Sequence, residues 1–350
     1  MFSAARTVLR QAIGDRAFPA ASIEVGDATQ PLWQESFGRL TFDPSASPAT
    51  ERTIFDLASL TKVMATTPLL MQQVERGSIG LDDLVIDHIA EWRGLDRTLV
   101  TLRDLLTHSS GLPAYGELFR SRRGRLAFES AICGTPLEYA PRSSSSYSDL
   151  GFILLGVILD EEIALPTRFE TLLGQMGIVE DLQFNPPAAW RPRTAPTEID
   201  AWRGRLLVGE VHDENAWALG GAAGHAGLFG TAAGVGAYAR HLLQVLDGRT
   251  GAFQRATLET FIARRTDVPG SSRALGWDTM LATSSCGSRM SPRAFGHTGY
   301  TGTSLWIDPD RGIYVVLLTN RVHPTRENDA IKRMRPAVHD AVMEDLDRGC

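Results

Sequence analysis

The stretch FDLASLTK, residues 55–62, guides the interpretation of this chain because it places Ser59 and Lys62 three positions apart. A serine hydroxyl is a weak nucleophile at neutral pH and needs a base within hydrogen-bond reach. Residues i and i+3 of a helix share a face, so the Lys62 amine can approach the Ser59 Oγ. The pair predicts a serine nucleophile activated by lysine. Taken alone this spacing is common, and on most helices such a pair is a solvated face.

The flanking residues predict that Ser59 opens a helix. Residues 43–52 are rich in Pro, Ser, Ala and Thr without periodicity, which is typical of a loop. Residues 59–76 contain good helix formers, and Gly77 falls where a helix stop belongs. The free N–H groups and positive dipole end at a helix N-terminus favour developing negative charge. We expect desolvation near this end to lower the pKa of Lys62 toward that of a usable base.

A second motif, Tyr147-Ser148-Asp149, follows a serine-rich turn and opens the apolar stretch 151–159. A tyrosine oxygen can relay protons between a nucleophile and a leaving group when a nearby ammonium favours its phenolate. Tyr147 is therefore a candidate acid/base residue beside Ser59.

A third motif, His297-Thr298-Gly299, precedes Tyr300 and a predicted strand. Glycine lets a substrate approach the backbone closely, since it has no Cβ. The next N–H, that of Tyr300, can complete an oxyanion hole with the N–H of Ser59.

In this order, Ser-x-x-Lys, Tyr-Ser-Asp and His-Thr-Gly resemble the three-motif signature of serine β-lactamases and penicillin-binding proteins. The spacing is similar to that of the class C β-lactamase branch and its carboxylesterase and D-aminopeptidase relatives. Residues 105–113 (LLTHSSGLP) and 227–229 (GLF) also look like that branch. The resemblance covers roughly residues 15–345, and the combination is specific although each motif alone is not.

The resemblance implies an α+β fold, with an antiparallel sheet flanked by terminal helices and a helical lobe. It implies one β-lactamase-like domain over residues 1–350, with a sheet lobe at about 1–60 and 270–350 and a helical lobe at about 61–269. Ser59 is expected in the cleft between the lobes. By the same resemblance Lys62 and Tyr147 form the acid/base system, acyl transfer passes through a covalent acyl-enzyme, and no metal or organic cofactor takes part.

Two residues depart from the β-lactamase pattern. His297 stands where those enzymes usually have lysine, and histidine carries only a partial charge near neutrality. Asp149 stands where asparagine is typical, and a carboxylate near Lys62 would either hold the lysine protonated or take up a proton itself. Both changes favour an esterase or a peptidase/amidase over efficient β-lactam hydrolysis. Asp149, His297, Thr298 and Gly299 are the candidate substrate-binding residues.

The sequence therefore predicts a serine hydrolase that cleaves a small ester or amide, of the carboxylesterase type or acting on cell-wall fragments. The alternatives are a class C-like β-lactamase or D,D-peptidase, and a receptor that binds penicillin or a peptidoglycan fragment without turnover. The expected partner is a small ester, an amide or a peptidoglycan-derived substrate. The oligomeric state is left open.

The composition of the chain narrows the classes of protein to which it can belong. The chain has 350 residues, 43% hydrophobic and 22% charged, which is typical of a globular protein. A net charge of -6 argues against a nucleic-acid partner. The longest apolar run, 151–159, is short of the roughly 20 residues that a membrane span needs. The N-terminal residues lack a signal-peptide pattern, so we expect a cytoplasmic protein without membrane contact. Three scattered cysteines indicate no disulfide framework.

A second polar, glycine-rich cluster spans residues 211–216 and 220–227. Its His212, Asp213 and His225 lack any standard metal-ligand spacing, so a packed loop is favoured over a metal site. Asn215 and His225 are weaker candidates for substrate contact. His108, in a Ser-Ser-Gly turn region, is expected to bridge local backbone.

Periodicity predicts the main elements. Helices are expected over 3–16, 59–76, 101–107, 148–162, 231–247 and 327–346. Strands are expected over 21–25, 32–37, 304–307 and 312–319.

Overall fold

A computed structural model of the chain describes residues 2–160 and 163–349. Its strands in chain order are β1 (Ala20–Asp27), β2 (Pro31–Gly38), β3 (Phe55–Asp56), β4 (Leu182–Phe184), β5 (Ile199–Asp200), β6 (Arg205–Leu206), β7 (Leu228–Gly230), β8 (Asp278–Thr279), β9 (Phe295–Gly299), β10 (Thr303–Asp308) and β11 (Ile313–Thr319). Its α-helices are α1 (Ser3–Gly14), α2 (Thr67–Glu75), α3 (Val85–His88), α4 (Leu102–Leu106), α5 (Arg125–Cys133), α6 (Asp149–Leu159), α7 (Leu165–Met176), α8 (Glu214–Ala218), α9 (Ala232–Leu246), α10 (Arg255–Ile262) and α11 (Ile331–Asp347).

The main sheet draws its strands from both ends of the chain. Among the described residues it has six antiparallel strands in the order β2-β1-β11-β10-β9-β8. The expected antiparallel sheet is confirmed. Strands β1, β2 and β10 are two or three residues longer than the apolar runs that predicted them, and β11 begins one residue later than predicted, at Ile313.

Both faces of the central strands are covered, which explains their nearly continuous apolar sequence. Alternate residues of a strand point to opposite faces. Ile23 and Val315 therefore pack with the terminal helices α1 and α11 on one face. Val316 and Leu318 pack on the other face with the core that includes α9. The expected flanking by terminal helices is confirmed.

The helical part of the chain is organised around α6, where every residue from Leu150 to Leu159 is buried. A helix that is apolar all round has no solvent face and must lie inside the protein. It contacts α4, α5 and the turn that carries Lys62. The predicted helix 148–162 ends earlier, at Leu159, and residues 161–162 lie outside the described part of the chain.

The division into a sheet lobe and a helical lobe stays a prediction. One helix complicates it, because α9 falls inside the range assigned to the helical lobe yet packs on β1 and β11 of the sheet.

Cys133 and Cys286 carry free, buried thiols, and Cys350 lies outside the described residues. No helix among the described residues is both long enough and apolar enough to cross a bilayer.

A close contact joins α6 to the loop before β7. A Cβ added to Gly156 would lie 2.7 Å from the backbone nitrogen of Gly224, which is closer than real Cβ atoms approach. The two backbones touch only because neither residue has a side chain. This contact fixes the glycine-rich loop against the helix that begins at Asp149.

We therefore expect Gly156→Ala to lower the free energy of unfolding by about 1–3 kcal/mol, because overpacking forces the backbone apart. Gly174→Ala is the matched control. Gly174 is also helical, but a Cβ there meets nothing within 4 Å, so alanine should stabilise the helix by about 0.5–1 kcal/mol. Denaturant unfolding of both variants measures the difference. Equal effects would contradict the close packing.

Candidate active site

Ser59 lies at a strained turn between β3 and the helix that follows. Ala58, just before it, has a φ of 47°, a left-handed conformation that costs energy for a residue with a Cβ. The Asp56 carboxylate holds this turn by accepting a hydrogen bond from the Ala58 N–H at 2.8 Å. The other oxygen of Asp56 accepts from the His212 N–H at 2.7 Å. Buried Asp56 thus ties the nucleophile turn to the 211–216 cluster.

The helix after Ser59 departs from the predicted continuous α-helix over 59–76. Residues Lys62–Thr66 form a π-helical turn, and α2 continues from Thr67 to Glu75. The Thr67 N–H donates to the carbonyl of Lys62, five residues back, and Pro68 has no N–H to donate. A π turn of this kind often marks a functional site. All five of its residues are buried.

Lys62 is enclosed by three acceptors. Its Nζ lies 3.0 Å from Ser59 Oγ, 2.6 Å from Asp149 Oδ1 and 3.2 Å from the carbonyl oxygen of His225. Burial alone would lower the pKa of Lys62, but Asp149 and Tyr147 outweigh it and raise the pKa above its ordinary value. The expectation of a lowered lysine pKa is wrong, because the carboxylate compensates the desolvation.

Tyr147 completes the group around the nucleophile. Its Oη lies 2.8 Å from Ser59 Oγ, and the Lys62 Nζ is 4.8 Å from the centre of its ring. Burial raises the pKa of Tyr147, although the Lys62 ammonium opposes this rise. The phenol is therefore neutral at rest rather than a standing phenolate. The structure brings together Ser59, Lys62 and Tyr147, as predicted.

The two predicted oxyanion-hole donors lie at one cleft, and their role stays a prediction. The backbone N–H groups of Ser59 and Tyr300 have no acceptor in the described part of the chain. Gly299 packs against the residues before Ser59, since a Cβ on it would lie 2.5 Å from the Leu57 carbonyl oxygen. Ser59, Gly299 and Tyr300 line the same cleft. Free donors at a common cleft are what a developing oxyanion requires.

His297 lies in the cleft wall as a neutral side chain. Burial, together with the nearby Lys62 and Arg273 charges, holds the pKa of His297 well below its ordinary value. Its Nδ1 donates to the Thr298 carbonyl at 2.8 Å. His297 cannot supply the positive charge that lysine provides at this position in β-lactamases.

Of the other predicted substrate-binding residues, Thr298 and Gly299 also line the cleft. Asp149 instead forms the ion pair with Lys62, and 17% of its side chain is exposed. Its contact with substrate stays a prediction.

The cleft contains cations that the sequence motifs did not identify. Four basic side chains line it, namely Arg273, Arg321, Lys332 and Arg335, together with a single carboxylate, Asp278. These residues are far apart in the chain and share no motif. The one available signal was Arg335, an arginine on the buried face of the predicted C-terminal helix, between Met334 and Val338.

His108 links the first helical region to the second motif. Its Nδ1 accepts the Ser148 N–H at 3.0 Å, and its carbonyl accepts from the Tyr139 hydroxyl at 3.1 Å. Its ring lies 4.7 Å from that of Tyr147. The expectation that His108 bridges local backbone near residues 109–111 is wrong for its ring, which binds the backbone N–H of Ser148, 40 residues along the chain and next to Tyr147.

The 211–227 cluster contacts Lys62 and the turn that carries Ser59. His225 pairs with Asp213 at 2.8 Å while its carbonyl binds Lys62. Asn215 is fully buried and holds the Phe119 N–H and the Gly116 carbonyl. Both side chains are enclosed by protein, so the expectation that Asn215 and His225 contact substrate is wrong. Within the described residues, no group of three His, Cys, Asp or Glu side chains is arranged to hold a metal ion.

Comparison with known proteins agrees with this geometry. The model of the beta-lactamase family matches residues 5–339. The chain belongs to the β-lactamase family. This family member is a serine hydrolase, and it is 32% identical over 323 residues to a protein of Salmonella agona (strain SL483) named as a candidate D-alanyl-D-alanine carboxypeptidase. The match covers 81% of the chain and 73% of the relative. A protein of Salmonella typhi with the same name matches with the same identity and coverage.

Solved structures share the β-lactamase fold with this chain. A hydrolase with promiscuous acyltransferase activity superimposes with a TM-score of 0.77 at 21% identity, over 97% of each chain. A class C β-lactamase from Rhodobacter sphaeroides gives a TM-score of 0.76 at 18% identity, over 98% of this chain and 99% of the other. At these identities the similarity establishes the fold alone.

The Asp149 carboxylate raises the pKa of both Lys62 and Tyr147. Asp149→Asn keeps an oxygen for Lys62 Nζ but removes the negative charge. The variant therefore has no carboxylate to take a proton from Lys62, and Lys62 must lose that proton to solvent before it can act as the base. We therefore expect kcat/KM near neutral pH to fall and the rising limb of the kcat/KM profile to move to higher pH, measured by ester hydrolysis over a pH series.

Asp310→Asn is the control for this experiment. It removes a carboxylate from the surface ion pair with Arg293, at 2.8 Å, away from the cleft. Its pH profile should match that of the wild type. A rising limb that stays in place in Asp149→Asn would show that neither Lys62 nor Tyr147 governs it.

Proposed function

We propose that this β-lactamase-family protein hydrolyses small amides or esters whose leaving group carries a carboxylate, as a D-alanyl-D-alanine-type peptide does. The observation that carries the proposal is the excess of positive charge in the cleft beside Ser59. Four basic side chains face it against one carboxylate. Guanidinium groups bind carboxylates through paired, charge-assisted hydrogen bonds.

Arg273 is the cation best placed to bind the leaving group. Its guanidinium carbon lies 5.4 Å from the centre of the Tyr147 ring. The leaving group must come close to Tyr147 to receive a proton, so a carboxylate on it comes within reach of Arg273. The nearest carboxylate, that of Asp278, is 4.0 Å away and leaves donors of Arg273 available. Arg273 thus takes the place of the positive charge that His297 lacks.

Acylation begins with the proton of Ser59. Lys62 is charged and Tyr147 neutral at rest, so a proton has to leave Lys62 before it can accept another. Asp149 Oδ1 is in reach at 2.6 Å. As Ser59 Oγ attacks the carbonyl carbon, its proton passes to Lys62 and one lysine proton passes to Asp149. The oxyanion that forms is bound by the N–H groups of Ser59 and Tyr300.

The intermediate then collapses and the acyl-enzyme is hydrolysed. The bond to the leaving group breaks, and the Tyr147 hydroxyl supplies its proton. Water returns a proton to Tyr147 as it attacks the acyl carbon. Ser59 recovers its proton from Lys62, and Lys62 recovers one from Asp149. The cycle restores all four groups and releases a carboxylic acid.

The name of the Salmonella relatives agrees with this substrate class. A peptide that ends in D-alanyl-D-alanine has a terminal carboxylate on its leaving group, which suits Arg273. The cleft has a volume of about 330 Å³, which is within the range of a small-molecule site. A short peptide fragment fits such a volume.

Ser59→Ala should abolish labelling by a fluorophosphonate probe and reduce turnover to background, because it removes the only atom that forms the acyl-enzyme. Intact-mass measurement of the labelled protein detects the adduct. Ser288→Ala, on the surface, should label as the wild type does. Labelling that persists in Ser59→Ala would sink the assignment of the nucleophile.

Arg273→Gln should lower kcat/KM for an acyl-D-alanyl-D-alanine peptide by about tenfold to a hundredfold, as expected for loss of a hydrogen bond to a charged group. The same peptide with a C-terminal amide, and a neutral nitrophenyl ester, should change little. Arg293→Gln is the control, since that arginine is 64% exposed. Steady-state kinetics on the three substrates measures the effect.

Two results would overturn the carboxylate proposal. The wild type could hydrolyse the C-terminal amide as fast as the acid, or Arg273→Gln could slow the neutral ester equally.

A cephalosporin added to the panel separates the β-lactamase alternative, because turnover of the cephalosporin but not of the peptide identifies that activity. Stoichiometric acylation without turnover would identify the receptor alternative.

A further inference from the structure

Two buried arginines bind the backbone on either side of the Tyr300 N–H. Arg335 Nη2 donates to the Gly299 carbonyl at 3.3 Å and to the Thr303 carbonyl at 3.1 Å. Arg321 Nε donates to the Tyr300 carbonyl at 2.7 Å. Neither guanidinium has a carboxylate within 4.0 Å in the described part of the chain, whereas the buried Arg203 forms an ion pair with Asp200.

We propose that Arg335, with Arg321, holds and polarises the Gly299–Tyr300 peptide, so that its N–H forms a working oxyanion hole. Arg335 is on this view a positioning residue and not a substrate-binding one. The inference rests on the proposed function, since it assigns a role within the same acyl-transfer site.

The Gly299–Tyr300 peptide is oriented by the bonds to its carbonyl. The Gly299 C=O and the Tyr300 N–H belong to one planar trans peptide, so they point in opposite directions. The carbonyl is fixed by two donors, Arg335 Nη2 and the Gly302 N–H at 3.0 Å. With the carbonyl turned toward these donors, the N–H is directed the other way. It has no acceptor among the described residues.

The charge of Arg335 also acts on the Tyr300 N–H through the peptide. A cation on the carbonyl end of a peptide draws electron density from the N–H end, which makes that N–H a stronger donor. Burial and the neighbouring Arg321 charge lower the pKa of Arg335 to about 10, so the guanidinium is still charged at neutral pH. In this buried position its charge is poorly screened by solvent. The effect is greatest when the oxyanion forms.

The ring of Tyr300 is packed between neighbouring side chains. Arg321 also donates to the carbonyls of Arg326 and Asn328, and its guanidinium carbon lies 4.3 Å from the centre of the Tyr300 ring. That ring also stacks against the His212 ring, with centres 5.8 Å apart. Tyr300 is thus held by its carbonyl and its ring, although 52% of the residue is exposed at the mouth of the cleft. An exposed loop residue held this firmly indicates that its backbone position matters.

The test is Arg335→Gln assayed with a neutral nitrophenyl ester, which has no carboxylate to bind. We expect kcat to fall about tenfold or more while KM stays within twofold, since loss of a whole oxyanion donor costs about a hundredfold to a thousandfold. The affinity for a boronic acid that forms a tetrahedral adduct on Ser59 should fall by the same factor as kcat. Arg335→Lys, which keeps the charge, should recover part of both.

Arg97→Gln is the matched control for the loss of a buried arginine. Arg97 is 5% exposed and binds the Cys133 and Thr135 carbonyls, in the helical part of the chain. Its replacement should lower stability without changing kcat per folded molecule. Circular dichroism gives the folded fraction by which all rates are normalised.

Two outcomes would overturn the inference. Loss of rate with the peptide acid alone would make Arg335 a carboxylate-binding residue. Unchanged kcat and boronic acid affinity per folded molecule would make its role purely structural. Fluorophosphonate labelling of the wild type keeps the two proposals apart, because its absence defeats the proposed function, whereas labelling with an unaffected Arg335→Gln variant defeats only this inference.

Discussion

The ion pair between Lys62 and Asp149 is the interaction on which the rest of the site depends. It joins the turn after the nucleophile to the first residue of the buried helix α6, with Nζ and Oδ1 2.6 Å apart. Leaving one such charge unpaired typically costs about 3–5 kcal/mol. The pair therefore fixes both elements, and it sets the charge of Lys62. Because the carboxylate raises the pKa of Lys62 against its burial, the proposed proton relay includes Asp149.

Backbone contacts extend this constraint to the sheet. The Thr301 hydroxyl donates to the Asp56 carbonyl at 2.7 Å, and the Thr303 hydroxyl donates to the Leu57 carbonyl at 3.0 Å. These bonds tie the β9–β10 turn to the residues that precede Ser59. The two predicted oxyanion donors come from different parts of the chain, and these threonine hydrogen bonds hold the two parts together. Arg335 and Arg321 bind the same turn from its far side, so the turn is fixed from both directions.

Charge is divided across the site in a way that suits its chemistry. Carboxylates lie behind the nucleophile, where Asp149 pairs with Lys62 and Asp213 with His225. Cations lie in front of it, along the wall where Tyr147 and His297 meet the cleft. In the proposed function, the first set controls proton positions inside the protein, and the second attracts an anionic substrate from solvent. His297 stays neutral between them because burial and the surrounding cations lower its pKa.

Hydrophobic periodicity in the sequence predicted the individual strands and helices, because it reports on local structure. The resemblance of three motifs to the β-lactamase family predicted the antiparallel sheet with its flanking terminal helices and the trio Ser59, Lys62 and Tyr147. Only the tertiary structure decided the direction of the Lys62 pKa shift, the π turn at Lys62–Thr66 and the positions of Arg273, Arg321 and Arg335 at the cleft beside Ser59. Asp149 was visible as a departure from the motif, but whether its charge would outweigh the desolvation of Lys62 depended on the Nζ–Oδ1 distance. The arginines carry no motif, since they come from remote parts of the chain and meet at the cleft only in the folded structure. Electrostatic fields act through space, and spacing along a sequence does not contain those distances.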